Sequence, residues 1–196
     1  MMKDGIFEVP AGKVATVVTH LEMTAKPAPR EASLPGDVTF RQVAPDLEWY
    51  RDMFDRVGRA WLWNGRRKLS DAALMEVLND PKVALFTLSR NGQDEALLEL
   101  DFRQEGVCEL AYFGLADALI GTGAGRYLMN EAIARAWAAP IERFYVHTCT
   151  LDSQQAMAFY QRSGFTPFKL EVEIEDDPRL TGLLPEDAGS HVPLVR

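Results

Sequence analysis

The sequence predicts an α/β protein in which helices pack against a mixed central β-sheet. Runs of β-branched and alternating apolar residues recur along the chain, and amphipathic runs with helix-capping residues lie between them. An Asn-Gly pair at residues 91–92 separates two apolar runs, as in a β-hairpin. Farther along, a strand, a long helix and another strand follow one another, which implies parallel pairing through a right-handed crossover.

The first half of the chain opens with a strand and then alternates helices with further strands. The expected elements are a strand at 13–23, a proline-rich connector, a strand at 38–43, and helices at 47–58 and 70–80. Asp46 and Ser70 are the capping residues that open the two helices, and we expect Gly58 to end the first. A hairpin of strands 83–90 and 95–103 follows, with a third strand at 107–115.

The second half is predicted to contain the crossover. Its expected elements are a helix at about 122–138, a strand at 142–150, a helix at 153–164 that ends at Gly164, and a strand at 165–175. Small and apolar residues recur every fourth position from Ala124 to Ala136, so this face should pack against the sheet. In the last strand apolar and charged residues alternate, so one face should be buried. The apolar set is Phe168, Leu170, Val172 and Ile174.

Composition and charge exclude several classes of function. The formal net charge of −8 over 196 residues argues against a nucleic-acid surface. The opening residues 1–13 are too polar for a signal peptide, and no apolar run is long enough to cross a bilayer, so we expect a cytoplasmic protein without membrane contact. Cys108 and Cys149 lie inside apolar runs without metal-ligand spacing, which predicts reduced, buried cysteines and no metal.

Three glycines precede the long helix, at Gly121, Gly123 and Gly125. A dinucleotide fingerprint would require glycine where Arg126 stands, and a phosphate-transfer loop would require Lys and Ser or Thr after the last glycine. Both interpretations fail. The remaining one is an anion site of bare backbone N–H groups at a helix N-terminus, which fits a pyrophosphate.

Two segments resemble motifs of the GNAT acyltransferase superfamily. The stretch GLADALIGTGAGRYLM is similar to its acetyl-CoA pyrophosphate loop, Gln/Arg-Gly-x-Gly-x-Gly/Ala, except that Ile120 replaces the polar residue. The stretch DSQQAMAFYQRSGF is similar to a second motif, Asn-x-x-Ala-x-x-x-Tyr-x-x-x-Gly-Phe. Its matching residues are Ala156, Tyr160, Gly164 and Phe165, and Ser153 stands where Asn is common. Together the motifs cover about residues 109–168.

The resemblance implies the GNAT acyl-CoA N-acyltransferase fold, a mixed sheet in which two parallel strands splay apart around the pantetheine arm of acetyl-CoA. Here those strands would be ELAYFGL and FYVHTCT. The residues that the resemblance assigns to the acetyl-CoA site are Phe113, Gly114, Leu115, Gly121, Thr122, Gly123, Ala124, Gly125, Arg126, Ser153, Ala156 and Tyr160. An N–H group among residues 113–115 would polarise the acetyl carbonyl.

The catalytic residues are assigned partly by resemblance and partly by chemistry. Tyr160, at the motif's tyrosine position, would donate a proton to the leaving sulfur as general acid. An alkylammonium has a pKa near 10 and must lose a proton before it attacks. Glu109 is our candidate general base, with Glu99 and Asp101 as competitors. A chain of water molecules without a dedicated base remains an alternative.

The acceptor side should include the irregular stretch WLWNGRRK. Candidate substrate contacts are Trp61, Trp63, Arg66 and His147, with Asn64 and Arg67 beside them. The arginines favour a carboxylate or phosphate on the acceptor. The acidic positions 171, 173 and 175 favour a cation, and a merely solvated face is a third interpretation.

The sequence therefore predicts an N-acetyltransferase that uses acetyl-CoA and an amine acceptor, with a non-catalytic acyl-CoA binding domain as the alternative. Residues 38–175 would form the transferase domain, with extensions at 1–37 and 176–196. The strand at 13–23 precedes that domain, so we expect it to add to a sheet edge or to reach a second subunit in a homodimer.

Overall fold

The computed structural model describes residues 4–196, which fold around one mixed sheet flanked by helices. The elements are β1 Lys13–Met23, β2 Val38–Val43, α1 Leu47–Gly58, α2 Asp71–Leu78, β3 Val83–Arg90, β4 Gln93–Asp94, β5 Ala96–Asp101, β6 Val107–Leu115, α3 Ala124–Ala136, β7 Arg143–Cys149, α4 Ala156–Arg162 and β8 Thr166–Asp176. Short 3₁₀ turns lie at Arg59–Trp61 and Asp117–Leu119. The predicted α/β class is confirmed.

The strand order is β2-β3-β5-β6-β7-β1-β8, with β4 paired to β3. Strand β6 pairs with β7 in parallel through the α3 crossover, and the other ladders are antiparallel. The β3–β4 hairpin closes over Asn91 and Gly92, with φ of +52° and +82°. This is the tight two-residue turn that an Asn-Gly pair favours, because both positions require positive φ.

Local capping signals set the helix starts. The Asp46 side chain accepts a hydrogen bond from Trp49 N at 2.8 Å, and Ser70 accepts one from Ala73 N at 3.2 Å. Helix α1 ends at Gly58, as expected. The chain continues into a 3₁₀ turn and reverses at Leu62, whose φ is +57°. The tight fit of Gly58 is explained by Trp63, since a Cβ at position 58 would lie 2.6 Å from that indole ring.

The sheet has a core on each face. Helices α3 and α4 cover one face, where the predicted stripe of α3 is buried from Ala124 to Ala136. Helices α1 and α2 cover the other face, with Tyr50 and Phe54 packed under Leu97 of β5. The two layers leave the carboxyl ends of β6 and β7 accessible between them, which is where a site can form.

The placement of β1 corrects the expectation for residues 13–23. This strand lies neither at a sheet edge nor on a second subunit, because it inserts between β7 and β8 and pairs antiparallel with both. Its Leu21 and Met23 are buried under α4 and α3. Strand β1 therefore has hydrogen-bonding neighbours on both sides, as its β-branched sequence allows.

The expected burial of the apolar face of β8 is wrong. Leu170, Val172 and Ile174 are at least half exposed, because α3 and α4 pack over β5, β6, β7 and β1 and stop short of this edge strand. A register shift opposite His20 also takes Phe168 out of the alternation. The Phe168 ring lies beside His20, with the Arg143 guanidinium 4.4 Å from its centroid.

The C-terminal segment 177–196 packs onto the irregular stretch after α1. Arg179 and Asp177 form a buried ion pair at 2.7 Å, and the same guanidinium donates to the carbonyls of residues 188, 192 and 193. Leu184 and Ala188 then pack against Leu62. Among residues 4–196, no helix combines the length and apolar character that a membrane span requires.

Candidate active site

A cleft opens where the two parallel strands separate. Strands β6 and β7 pair only from Val107 with Arg143 to Glu109 with Tyr145. Beyond this point residues 110–115 of β6 and 146–149 of β7 line a cavity of about 310 Å³. The splayed strands expected from the resemblance are therefore present in the fold.

The backbone of β6 presents hydrogen-bond donors to this cleft. The N–H of Ala116 donates to the carbonyl of Glu95, beside β5, at 2.9 Å. Because successive N–H groups of a strand point to opposite edges, those of Phe113 and Leu115 point toward β7. Both residues line the cleft, as does Gly114, whose own N–H points to β5. Of residues 113–115, among which we expected the N–H group that polarises the acetyl carbonyl, only Phe113 and Leu115 have N–H groups that point toward β7.

The glycine loop lies just beyond the end of β6. Gly121 and Gly123 have φ of +79° and +90°, and a Cβ at either position would meet nothing within 4 Å in the described structure. Gly125 has a different role, because a Cβ there would lie 3.2 Å from Leu115 Cδ1. Two glycines therefore shape an open backbone surface, and the third allows α3 to pack closely against β6.

The loop presents bare N–H groups rather than side chains. Within residues 4–196, the N–H groups of Gly121, Gly123 and Gly125 have no hydrogen-bond acceptor, whereas that of Arg126 donates to Gly123 O at 3.0 Å. The guanidinium of Arg126 donates a hydrogen bond to Glu31 O at 3.0 Å. The hydroxyl of Thr122 donates to Leu119 O, and Ala124 is buried. Unsatisfied N–H groups at the start of a 13-residue helix fit a phosphate.

Tyr160 faces the cleft from α4 and is 8% exposed. Burial, with a further contribution from the Asp152 charge, raises its pKa above that of an ordinary phenol. Its hydroxyl therefore keeps its proton at neutral pH. Ser153 and Ala156 also line the cleft, and the Ser153 hydroxyl donates to Gln155 Oε1 at 2.9 Å.

The three carboxylates considered as general base have different surroundings. Glu99 is fully buried and accepts hydrogen bonds from Tyr50 and Arg66, each at 2.5 Å. Asp101 is held by Arg103 through its backbone N–H and guanidinium.

Within the described chain, Glu109 is held by neither a tyrosine nor an arginine. Its Oε1 lies 3.4 Å from Nδ1 of His147, and its side chain is 35% exposed. This contact raises the pKa of His147. Of the three carboxylates, Glu109 is therefore the least restrained, and it lines a separate pocket beside Asp101 rather than the cleft.

Three of the four predicted substrate contacts, Trp61, Trp63 and His147, line the cleft, and we call the side of the cleft that they form the acceptor wall. Trp63 Nε1 donates a hydrogen bond to Asp152 Oδ1 at 3.1 Å. Arg66 does not reach the lining, because its guanidinium turns to Glu99. Arg67 is directed to Asp55 and to the carbonyl of residue 183. Neither the Arg66 nor the Arg67 guanidinium therefore lines the cleft.

Sequence reasoning missed part of this wall. Asp152 accepts from Thr148 Oγ1 at 2.5 Å and from Cys149 N at 3.1 Å, which fixes its carboxylate beside the cleft. Thr16 of β1 and Pro178 of the C-terminal segment also line it. Thr16 and Pro178 belong to no local motif, since they reach the cleft only through the placement of β1 and the C-terminal segment, whereas Asp152 directly precedes Ser153 of the second motif.

The two cysteines differ in position. Cys108 is fully buried as expected, but Cys149 is only partly buried and lines the cleft. Burial and the charge of Asp152 raise the pKa of Cys149, so the thiol stays protonated and unreactive. Within the described residues, no three His, Cys, Asp or Glu side chains gather into a metal-binding group.

Comparison with known proteins identifies relatives of this architecture. A family model for the Acetyltransferase (GNAT) family matches residues 44–165. A GCN5-related N-acetyltransferase from Sphaerobacter thermophilus has a TM-score of 0.62 at 15% identity, over 83% of this chain and 52% of that protein. A conserved protein of unknown function from Staphylococcus epidermidis has a TM-score of 0.56 at 13% identity, over 85% and 64%.

A third similar structure is an aminoglycoside acetyltransferase from an uncultured soil sample, with a TM-score of 0.54 at 13% identity, over 65% of this chain and 88% of that protein. These identities establish a shared fold and nothing finer. The chain spans only about half to two thirds of the length of the first two structures. No curated protein matches the sequence.

Proposed function

The chain belongs to the Acetyltransferase (GNAT) family, and on that premise we propose that it transfers an acetyl group from acetyl-CoA to a primary amine of a small molecule or peptide. The observation that carries the proposal is the position of Tyr160, whose protonated side chain faces the gap between the separated strands β6 and β7. A proton donor beside a splayed pair of strands suits the departure of a thiolate.

The acyl donor fits the residues that would hold it. The open surface at Gly121 and Gly123, with its free N–H groups, suits the pyrophosphate of coenzyme A. The unpaired edge of β6 from Leu110 to Leu115 suits the pantetheine amides. When bound, acetyl-CoA supplies the thioester acyl group. We also propose Thr122, Ala124, Arg126, Ser153 and Ala156 as loop and helix positions that border this site.

The remaining chemistry is assigned to three groups of this chain. The N–H groups of Phe113 and Leu115 donate toward the acyl carbonyl oxygen. Glu109, directly or through a water molecule and with His147 beside it, takes the proton that the acceptor ammonium must lose. Tyr160 holds the proton that the sulfur needs. The amine attacks directly, because neither thiol has a depressed pKa.

A thiol-release assay tests this function. Acetyl-CoA is incubated with the protein and with panels of amines, amino acids and peptides, and binding of coenzyme A is measured separately by calorimetry. Acceptor-dependent thiol release supports the transferase. Coenzyme A binding without release for any acceptor would favour a non-catalytic acyl-CoA binding domain.

We keep residues 38–175 as the proposed transferase domain, with extensions at 1–37 and 176–196. Residues 44–165, which match the family model, lie inside the proposed domain. The N-terminal extension nevertheless contributes β1 to the sheet, and the C-terminal one contributes Pro178 to the cleft. We therefore expect truncation of either extension to impair the acceptor site.

A further inference from the structure

The cleft between β6 and β7, which Tyr160 also lines, has an acidic wall. Its lining contains three carboxylates, from Asp152, Glu173 and Glu175, and one ammonium, from Lys68. Lys68 lies 2.7 Å from Glu175 Oε1 and so neutralises that carboxylate. The excess of negative charge favours a cationic occupant, since like charges in a cleft repel.

The three carboxylates differ in how far they are already engaged. Asp152 accepts from Trp63, and Glu175 accepts from Asn64 Nδ2 at 3.2 Å in addition to Lys68. The side chain of Glu173, in contrast, is exposed and takes part in no hydrogen bond or ion pair within residues 4–196. It stands in register with Thr16 of the neighbouring strand β1. Glu173 is therefore the carboxylate available to a ligand.

Thr16 is a second and independent sign of a ligand at this place. The residue is only 7% exposed and lines the cleft, yet its Oγ1 has no hydrogen-bond partner in the described chain. A buried hydroxyl without a hydrogen-bond partner costs stability. A bound donor would remove that cost, and an ammonium is a donor that both this hydroxyl and Glu173 can accept from.

Among residues 4–196, no arginine lines the cleft to compete for these carboxylates. Arg66 is engaged by Glu99, and Arg67 by Asp55. Trp61 and Trp63 line the same cleft, and indole rings favour an ammonium over a neutral or anionic group. The charge, the hydrogen-bonding capacity and the aromatic lining of the cleft thus all favour an ammonium group as ligand.

We propose that the acceptor is a diamine or polyamine, and that Glu173 and Thr16, with Glu175 beside them, bind an ammonium other than the one that reacts. This inference rests on the proposed transferase function for the identity of the reacting amine. It assigns Glu173 and Thr16 to substrate selection, and it leaves the proton transfers to Tyr160 and Glu109.

Equilibrium binding tests the inference separately from catalysis. Calorimetry with coenzyme A present compares putrescine with n-pentylamine and cadaverine with n-hexylamine, pairs in which a methyl group replaces one ammonium. We expect each diamine to bind roughly tenfold tighter than its matched monoamine, since several modest charge and cation–π contacts add. Glu173→Gln should reduce that advantage to about threefold or less.

Glu171→Gln is the matched control, because Glu171 lies on the same strand but pairs with His20 and Lys169 outside the cleft. It should leave the ratio unchanged. Equal affinity for diamine and monoamine, no measurable diamine binding, or a ratio that Glu173→Gln leaves intact would each overturn the inference. Thiol release in parallel decides the transferase function itself, so the two failures are distinguishable.

Discussion

Arg66 donates to Oε1 of the fully buried Glu99 across 2.5 Å, and this ion pair removes both residues from the candidate chemistry. The second oxygen of Glu99 accepts from Tyr50, whose pKa rises through burial and the adjacent charge. Tyr112 completes the cluster, with its ring 5.2 Å from the guanidinium. The cluster fastens the irregular stretch after α1 to β5, and so it holds the acceptor wall in place.

Removing Arg66 should therefore destabilise the fold rather than alter chemistry selectively. Arg66→Ala leaves a carboxylate buried without its counterion, and we expect a loss of about 3–5 kcal/mol in the free energy of unfolding. Urea denaturation measures this loss. Arg59→Ala is the control, since its exposed pair with Asp187 should contribute about 0–1 kcal/mol. Similar losses for the two variants would contradict the structural role of Arg66.

A side chain at Gly123 should weaken acetyl-CoA binding. Valine would have to adopt a φ near +90° and would place its methyl groups over the bare N–H groups. We expect the Kd to rise roughly tenfold or more, from strain and lost access. Gly182→Val, at a φ of +76° outside the loop, is the matched control for strain alone. Calorimetry that gave equal Kd values for the two variants would exclude the loop as the pyrophosphate site.

The contact between His147 and Glu109 predicts a pH dependence. The Glu109 carboxylate raises the folded-state pKa of His147 above its unfolded value near 6.5. The stabilisation is therefore fully present below about pH 6.5 and is lost as the pH rises through the folded pKa. The imidazole is 48% exposed, so solvent screens the pair.

Glu109→Gln should lower the pKa of His147 in an NMR titration, and should destabilise the protein more at about pH 5.5 than at about pH 8.5. Glu105→Gln, at an exposed neighbouring position, serves as the control. A His147 titration that Glu109→Gln leaves unchanged would show that the two side chains do not interact in solution.

Local signals in the sequence were sufficient for most element boundaries. Asp46, Ser70 and the Asn91-Gly92 turn act within a few residues of themselves, and the structure confirms the starts and the turn that they predict. The apolar stripe of α3 is likewise a property of one helix. The glycine loop could be recognised because its N–H groups and its helix are contiguous in the chain.

The exposure of β8, the direction of the Arg66 side chain and the placement of Thr16 depend on long-range packing, which local sequence signals do not encode. The alternation in β8 correctly marks a strand, but whether helices cover its apolar face depends on where β1 inserts. Arg66 turns inward because a buried Glu99 lies beside it, 33 residues away in sequence. Thr16 reaches the cleft from the far end of the chain, so its role in the acceptor wall has no signature of its own.

The proposed role of Tyr160 is to supply a proton to the leaving sulfur in an acetyl transfer. This role is tested by measuring thiol release from acetyl-CoA with an accepted amine for wild type, Tyr160→Phe and the control Tyr127→Phe. The Tyr127 ring lies beside Phe40 and does not line the cleft. We predict that Tyr160→Phe lowers kcat by roughly 10²–10⁴-fold, as for loss of a general acid, while coenzyme A affinity and the control stay near wild type. Unchanged kcat in Tyr160→Phe would contradict the claim.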